Sequence, residues 1–423
     1  MAQGMPWGFV TITLLAYISE QGASLEQTAR IMSLATLPWS FKVIWGVVID
    51  RFMFPAMGLR RPWVLGAQLG IGITLLAMIL IDDLSAEFNT FAWMVFVHNC
   101  FVSLQDVASD ALAVDVLDDE ERGRVSGLMW ASNYAGAAVG GLGMGKVLAN
   151  YGLQAAFILQ VSVLLAIVCF PLFLRERAGD RFLPFSKDPD GPSTVGRLGS
   201  ARRASLMDLV RRLLRAFRSR GPLIGLGFAL FSNMFVGVLV AVNPVFFVQE
   251  LGWSQEQYST LSGGWGQVSG IAGAVVGGFL VDRIGMRAIF TTAGLLAAGL
   301  CLGLASSEAL RASEPYCITY LITAEFLVSA QSVASFSLFM RLCSVAVAGT
   351  QYTLFMAVLN QGRVAGAEIL RRISDEGYAV IFYFMAGSMI ASLPILYAIP
   401  LGARKKPGDD EPAPDPDQGA KSS

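Results

Sequence analysis

The hydrophobic positions of this chain are grouped into twelve long apolar segments, separated by shorter polar ones. An α-helix needs about 20 apolar residues to cross a bilayer, so segments of this length predict transmembrane helices. The sequence therefore predicts an all-α integral membrane protein with twelve transmembrane helices. The predicted spans lie at about 3–19, 29–49, 63–81, 91–114, 125–149, 154–174, 222–247, 258–281, 288–306, 315–338, 349–369 and 379–401.

One short motif, which we call the signature, ends both the second and the eighth span. The first copy is Gly46-Val-Val-Ile-Asp50-Arg51, followed after a short insertion by Gly58-Leu-Arg60-Arg61. The second copy is Gly278-Phe-Leu-Val-Asp282-Arg283-Ile-Gly285-Met-Arg287, 232 positions further on when the two aspartates are compared. A repeat on this scale predicts two pseudo-symmetric six-helix bundles, an arrangement found in many carriers.

The repeat and the polar stretches divide the chain into four predicted regions. These are an N-terminal bundle at 1–174, a cytoplasmic linker at 175–221, a C-terminal bundle at 222–401 and a disordered cytoplasmic tail at 402–423. Residues 205–218 of the linker predict an amphipathic helix whose basic face lies on the anionic inner leaflet.

Composition and charge narrow the class of protein. The chain is 54% hydrophobic and only 15% charged, with a mean hydropathy of +0.56, which is typical of a polytopic membrane protein. The predicted inward loops and tail hold 24 of the 31 basic residues and the outward loops hold 4. Because basic loops stay in the cytoplasm, both termini are predicted to be cytoplasmic.

Several alternative classes find no support in the residues. A single histidine and five scattered cysteines predict no metal site, no cofactor and no catalytic constellation, so an enzyme is not expected. The segment Gly140-Gly-Leu-Gly-Met-Gly145-Lys146 resembles a phosphate-binding loop, but Val147 follows it where Ser or Thr is required. The net charge of −1 carries little information for a protein whose surface faces lipid, and nucleic acid is not expected as a partner.

Charged residues inside the predicted spans are the strongest candidates for chemistry, because an ionised group in the bilayer is costly unless paired or hydrated. Lys42 and Asp106 lie at similar depth and are predicted to meet, as are Glu325 and Arg363 nearer the outer side. Each pair is either a static salt bridge or a switch in which the carboxylate takes up a proton. For Asp110, a structural contact with the basic loop after span 2 is expected.

Two further groups of residues complete the candidate site. Gln105, Tyr134, Asn233 and Asn243 are polar residues in the spans that are expected to line a substrate cavity. The charged signature residues predict a cytoplasmic gate, whose charge locks break when the halves move. The gate set is Gly46, Asp50, Arg51, Arg60, Arg61, Gly278, Asp282, Arg283, Gly285 and Arg287.

The two signatures resemble the loop motif of the major facilitator superfamily, with Phe52–Met57 inserted in the first copy. Other segments resemble the AmpG-type permeases and the related acetyl-CoA and siderophore carriers. They are Gly4-Met-Pro-Trp-Gly-Phe9, Phe41-Lys42-Val-Ile-Trp45, Gln105-Asp106-Val-Ala-Ser-Asp110, Glu121-Arg-Gly-Arg124, Gly349-Thr-Gln351-Tyr352 and Gly362-Arg363.

This resemblance implies a carrier with a central cavity that imports anhydro-muropeptides from the periplasm with the proton gradient. It places Lys42, Asp106, Asp110, Gln351 and Arg363 on matching positions. One departure concerns the substrate, because Asn133-Tyr134-Ala135 stands where many relatives have Gly-Tyr-Arg, and no other side chain offers the bidentate fork of arginine.

The sequence therefore predicts a proton-coupled importer that works by alternating access on a muropeptide-like or other anionic organic solute. It is expected as a monomer in a bacterial inner membrane, with the small-molecule substrate, protons and the bilayer as partners. An exporter of the same fold and a siderophore or acetyl-CoA carrier are the alternatives, followed by a non-transporting sensor.

Overall fold

The structure is a computed structural model, which describes residues 2–52, 57–81, 83–84, 86–116, 129, 131–176, 180–181, 211, 217–343 and 348–400. Most of the predicted linker, the predicted tail, the Glu121–Arg124 motif and most of the insertion in the first signature lie outside the described residues. So do the side chains of Asp50 and Arg51.

The first half consists of six helices. Helix α1 joins Gly4–Gly8, the π-helical Phe9–Leu14 and Leu15–Glu20, and α2 joins Leu25–Ser40 and Lys42–Arg51 across a bend of 41°. Helix α3 is Arg61–Met78 and α4 is Phe88–Val116. The stretch Ala131–Phe173 contains both α5 (131–151) and α6 (153–173), because Gly152 breaks the helix with φ 83° and ψ 172°.

The second half repeats this order. Helix α7 is Arg220–Glu250, α8 is Gln255–Ile284 and α9 is Met286–Ser306. The single turn Glu308–Arg311 precedes α10 (Glu314–Leu342), and α11 is Ala348–Ile373. The 3₁₀ turn Ser374–Glu376 precedes the last helix, α12 (Tyr378–Ala398). Within α7 and α8, Phe246–Glu250 and Leu261–Gly266 are π-helical.

Helices thus occupy all twelve predicted positions in the described part of the chain. By length and apolar composition, seven helices qualify as membrane spans, or eight when bent α2 counts as one, with Ala131–Phe173 taken as a single span. Helices α1, α3 and α11 fall outside this count, and the polar residues Gln351, Asn360 and Arg363 lower the hydropathy of α11.

Matching capping boxes start α2 and α8, and they extend the repeat beyond the signature. Ser24 accepts a hydrogen bond from the Gln27 backbone while the Gln27 side chain accepts one from Ser24 N–H, and Ser254 with Gln257 does the same. These reciprocal bonds satisfy orphan donors at a helix start. As a result, both helices begin three to four residues before the ranges predicted from hydrophobicity.

In the described part of the chain, the two halves contact each other through five helix pairs: α2 with α11, α2 with α7, α1 with α7, α1 with α8, and α5 with α8. Within the halves, α3 packs on α4 and α6, while α9 packs on α10 and α12. Large buried apolar clusters fill each half and include Phe9 and Phe157 in the first and Phe228 and Phe339 in the second. Any polar group between α1, α2, α5, α7, α8 and α11 therefore lies at the interface of the halves.

Candidate functional site

A hydrogen-bonded polar chain crosses the first half and has Asp106 of α4 at its centre. One carboxylate oxygen, Oδ2, accepts from Lys42 Nζ, and the other, Oδ1, accepts from Gln3 Nε2. Gln3 Oε1 in turn accepts from Asn133 Nδ2 at 3.2 Å. The chain therefore links α2, α4 and α5 through Gln3, the residue that precedes α1.

The bend in α2 positions the lysine of this chain. Lys42 is the first residue after the break at Phe41, and its ammonium also lies 4.7 Å from the centre of the Trp39 ring. The Lys42 and Asp106 side chains are 15% and 11% exposed, so the ion pair is largely buried but still accessible to solvent. The predicted contact between the two residues is confirmed.

Sequence reasoning missed Gln3 and Asn133. Gln3 stands at the edge of an apolar span, where a polar residue has no periodic pattern to mark it. Asn133 carried a signal, since it belongs to the Asn133-Tyr134-Ala135 departure noted above. In this chain the departure supplies a neutral hydrogen-bond donor that reaches the Asp106 network.

The predicted pair between Glu325 and Arg363 is wrong. No hydrogen bond or ion pair joins these side chains in the described structure; Arg363 Nε instead donates to Asn233 Oδ1 at 3.2 Å. Helix α11 lies so close to α7 that a Cβ on Gly237 would fall 2.0 Å from the Arg363 carbonyl oxygen. This approach directs the guanidinium toward Asn233, which stands at a break between two segments of α7.

Tyr134 of α5 is a residue of the first half that lies beside the group around Glu325 and Arg363. Its hydroxyl lies 3.5 Å from Ser329 Oγ, one turn along α10 from Glu325. Tyr134 is close enough to both Glu325 and Arg363 for their charges to act on it. Glu325, Arg363, Tyr134, Ser329 and Asn233 therefore form one cluster at the interface, which we call the central cluster.

Asp110 makes no contact with the described side chains of the basic loop, Arg60 and Arg61. It is exposed and forms no hydrogen bond or ion pair in the described structure, although it lies near Lys42 and Tyr352. Of the arginines in that loop, the side chain of Arg51 lies outside the described residues, while the backbone N–H groups of Arg60 and Arg61 donate to Glu176 Oε2 at 2.9 and 3.0 Å.

Three of the remaining polar candidates are buried inside a half. Gln351 is fully buried and donates to the Leu342 carbonyl at 3.4 Å. Asn243 Oδ1 accepts from Tyr320 Oη at 3.1 Å, which ties α7 to α10. Gln105 is 4% exposed and its Oε1 has no hydrogen-bond partner in the described structure.

The described signature residues bind within their own halves or face solvent. Arg61 donates to the carbonyl groups of Pro171 and Leu172 at the end of α6. Arg287 likewise donates to the Ile399 carbonyl just beyond α12 and lies over the Tyr397 ring. Asp282 and Arg283 are exposed, and Gly46 has no atom near its Cβ position. In this conformation the two copies thus anchor helix ends that are equivalent in the repeat.

The opposite end of the molecule joins the halves. Gln249 Nε2 donates to the carbonyl groups of Ser19 and Ala23, both at 2.9 Å, and Gln255 N donates to Glu20 Oε1 at 3.3 Å. We call this region the closed end. Beneath it, α5 and α8 cross at Gly141 and Gly263, where a Cβ on Gly263 would lie 2.8 Å from Gly141 Cα.

Three π-helical segments lie at this crossing. Val139–Gly143 of α5 contacts both Phe9–Leu14 of α1 and Leu261–Gly266 of α8. A π-segment leaves backbone groups without their usual partner, and Thr13 Oγ1 is within 2.9 and 2.8 Å of the carbonyls of Gly140 and Gly141. The interface between the halves is therefore built from close backbone contact with local side-chain compensation.

Two six-helix halves with buried charge at their interface define a membrane transporter. The chain matches the Major Facilitator Superfamily over residues 1–367 and belongs to that family. The predicted family, the all-α two-bundle membrane fold and the exclusion of an enzyme are confirmed.

The chain is similar in sequence to the Anhydromuropeptide permease of Escherichia coli K12, with 24% identity over 405 residues, 93% of this chain and 77% of the relative. It is 20% identical to Putative transporter AmpG 1 of Rickettsia bellii over 92% of this chain and 93% of the relative. This likeness confirms the predicted resemblance to AmpG-type permeases.

Solved structures share the fold. A POT family transporter in complex with 5-aminolevulinic acid aligns with a TM-score of 0.70 at 14% identity, covering 94% of this chain and 93% of that one. The nucleoside transporter NupG aligns with a TM-score of 0.68 at 13% identity, covering 94% of this chain and 96% of that one.

Proposed function

We propose that this protein is a proton-coupled importer of muropeptide-like solutes in a bacterial inner membrane, working by alternating access as a monomer with both termini in the cytoplasm. The sequence likeness to anhydromuropeptide permeases, which extends over nearly the whole chain, supports the substrate class. The ion pair between Lys42 and Asp106 carries the proton-coupling part of the proposal.

A proton on Asp106 would remove the charge that holds Lys42. In a poorly solvated site, each charge of an ion pair is stabilised by its partner. When one charge is lost, the remaining charge has neither a partner nor full hydration, which costs free energy. Lys42 begins the second segment of α2, and α2 packs on α11 and α7 of the other half. Proton uptake at Asp106 would therefore release Lys42 and make the bend of α2 easier to change. Because α2 packs on the other half, such a change would act on the interface between the halves.

The closed end indicates which state of the proposed transport cycle the structure represents. Under the predicted topology this end faces the periplasm, which makes the present conformation inward-facing. The signature residues then lie at the cytoplasmic ends, where Asp282 and Arg283 are exposed. The predicted gate would form when these ends approach each other in the outward-facing state, and close packing favours such two-state movement over continuous deformation.

The test is uptake of a labelled anhydro-muropeptide into right-side-out membrane vesicles by Asp106→Asn. We expect gradient-driven accumulation to be lost while exchange of substrate without a gradient persists, since exchange needs no net proton transfer. Glu308→Gln, a change at an exposed loop carboxylate, is the matched control and should accumulate substrate normally.

Lys42→Met combined with Asp106→Asn separates coupling from folding. Removing one partner of a buried pair costs roughly 3–5 kcal/mol, whereas removing both leaves no unpaired charge. The double variant should therefore unfold at a higher temperature than Lys42→Met alone and still fail to accumulate substrate. Accumulation by Asp106→Asn with unchanged dependence on the proton gradient would exclude Asp106 as the coupling site.

A further inference from the structure

Glu325 and Arg363 face the same interface without neutralising each other. Each is partly exposed, and in the described structure Glu325 has neither a hydrogen bond nor an ion pair. Arg363 bonds a neutral amide through Nε, and its two Nη groups have no hydrogen-bond partner in the part of the chain that the structure describes. A carboxylate and a guanidinium are therefore both available to a ligand.

The groups around them are neutral. Asn233 lies beside Arg363. Ser262 lies on the α8 side of Glu325: a Cβ built on Gly266 of α8 would be 3.5 Å from Glu325 Cγ and 4.0 Å from Ser262 Oγ. The hydroxyl groups of Tyr134 and Ser329 complete the central cluster. In the first half, the ammonium group of Lys42 is already paired with Asp106.

This charge pattern selects a ligand by its own charges. A solute with several anionic groups would find one arginine and would be repelled by Glu325, and a cation would be repelled by Arg363. A solute with one ammonium and one carboxylate would neutralise both residues, and charge-assisted hydrogen bonds of this kind are stronger than neutral ones. A ligand that displaced water from either charged group without replacing it as a partner would bind more weakly.

We propose that Glu325 and Arg363 are the two poles of a binding site for a zwitterionic solute, with Glu325 receiving the ammonium group and Arg363 the carboxylate. The inference rests on the proposed function, because it takes the interface between the halves as the transport path. It narrows the substrate class from an anionic solute to one that carries both charges. The hydroxyl of Tyr134 lies beside Ser329 and near both poles, where it could contact the ligand.

Binding of two probe series to the purified full-length protein tests this assignment. One series is an anhydro-muropeptide with a free amino group and a free carboxylate, its N-acetyl form and its carboxamide form. The other series is trialanine with the same two caps. We expect at least one zwitterionic parent to bind, and either cap to weaken its binding at least tenfold.

One variant at each pole tests which charged group of the ligand that pole binds. Glu325→Gln should bind the parent and N-acetyl forms equally while keeping the preference for a free carboxylate. Arg363→Gln should bind the parent and carboxamide forms equally while keeping the preference for a free amino group. A change in preference of this selective kind cannot come from misfolding. Glu308→Gln, at an exposed loop site, should retain both preferences.

The outcomes separate this inference from the proposed function. Binding of the trialanine series alone, with both preferences, would refute the muropeptide substrate and uphold the two poles. Binding of the muropeptide series with both preferences upholds both. Equal binding of capped and uncapped probes, preferences that survive in both variants, or no binding by either zwitterionic parent would overturn the inference.

Discussion

The crossing of α5 and α8 allows the proposed alternating movement to be tested with a single methyl group. A Cβ added at Gly263 would lie 2.5 Å from Leu142 N, 2.7 Å from Gly141 C and 2.8 Å from Gly141 Cα. All three atoms belong to the backbone of the other half, so no side-chain rotation relieves the clash. Gly263→Ala should therefore push the halves apart at the closed end.

The cost of this clash sets the size of the effect. Ordinary carbon contacts are about 3.5–4.0 Å, so the helices must separate by several tenths of an ångström or more. Overpacking of this kind costs about 1–3 kcal/mol. Because the clash exists only while the closed end is formed, the population should shift away from this conformation by about 5- to 150-fold.

The adjacent glycine provides a matched control. A Cβ on Gly264 would lie 3.6 Å from Leu142 Cδ2, an ordinary contact with a side chain, so Gly264→Ala changes the same helix without the clash. Spin labels at Gln21 and Glu256, both exposed near the closed end, report the separation in a cysteine-free background. Gly263→Ala should add a longer-distance population that is absent from wild type and Gly264→Ala. A distance distribution unchanged by Gly263→Ala would refute the reasoning.

Two further predictions concern stability, measured by thermal unfolding in detergent. Gly285 has φ 90° and ψ 152°, a backbone conformation that is essentially restricted to glycine, so Gly285→Ala should cost about 1–3 kcal/mol. Gly46→Ala, with nothing within 4 Å of its Cβ position, should not destabilise, and equal melting temperatures for the two variants would contradict this. Tyr320→Phe removes the donor to the buried Asn243 side chain and should cost about 1–3 kcal/mol, while Tyr151→Phe, at a side chain that is 78% exposed, should leave the melting temperature unchanged.

The apolar segments located all twelve helices, including α1, α3 and α11, which do not qualify as spans by length and apolar composition alone. The apolar segments locate the starts of the helices less accurately, because a helix start depends on local hydrogen bonds. The capping boxes at Ser24 and Ser254 lie upstream of the apolar segments, so a hydropathy reading begins both helices too late.

Similar depth along the membrane normal was the basis for two predicted contacts in the site, of which one is confirmed and one is wrong. Lys42 and Asp106 were expected to meet because they lie at similar depth, and their helices are neighbours. Glu325 and Arg363 satisfied the same criterion, but depth does not specify which way a side chain points around its helix. The close approach of α11 to Gly237 of α7 decides that direction, and only the packed structure contains it.

Contacts between the halves were the least predictable feature. The glycine-rich stretch of α5 indicates that a close helix partner exists. It does not say that the partner is α8, or that Gly141 meets Gly263. Such pairings depend on how two bundles face each other, and no local pattern encodes that arrangement.

Transport by the purified protein in liposomes tests the central claim most directly. With a pH gradient that is acidic outside, labelled anhydro-muropeptide should accumulate above its equilibrium concentration, with simultaneous proton entry reported by an internal pH-sensitive dye. A protonophore should abolish the accumulation. Uptake that stops at equilibrium and brings no protons with it would contradict the account of a proton-coupled importer.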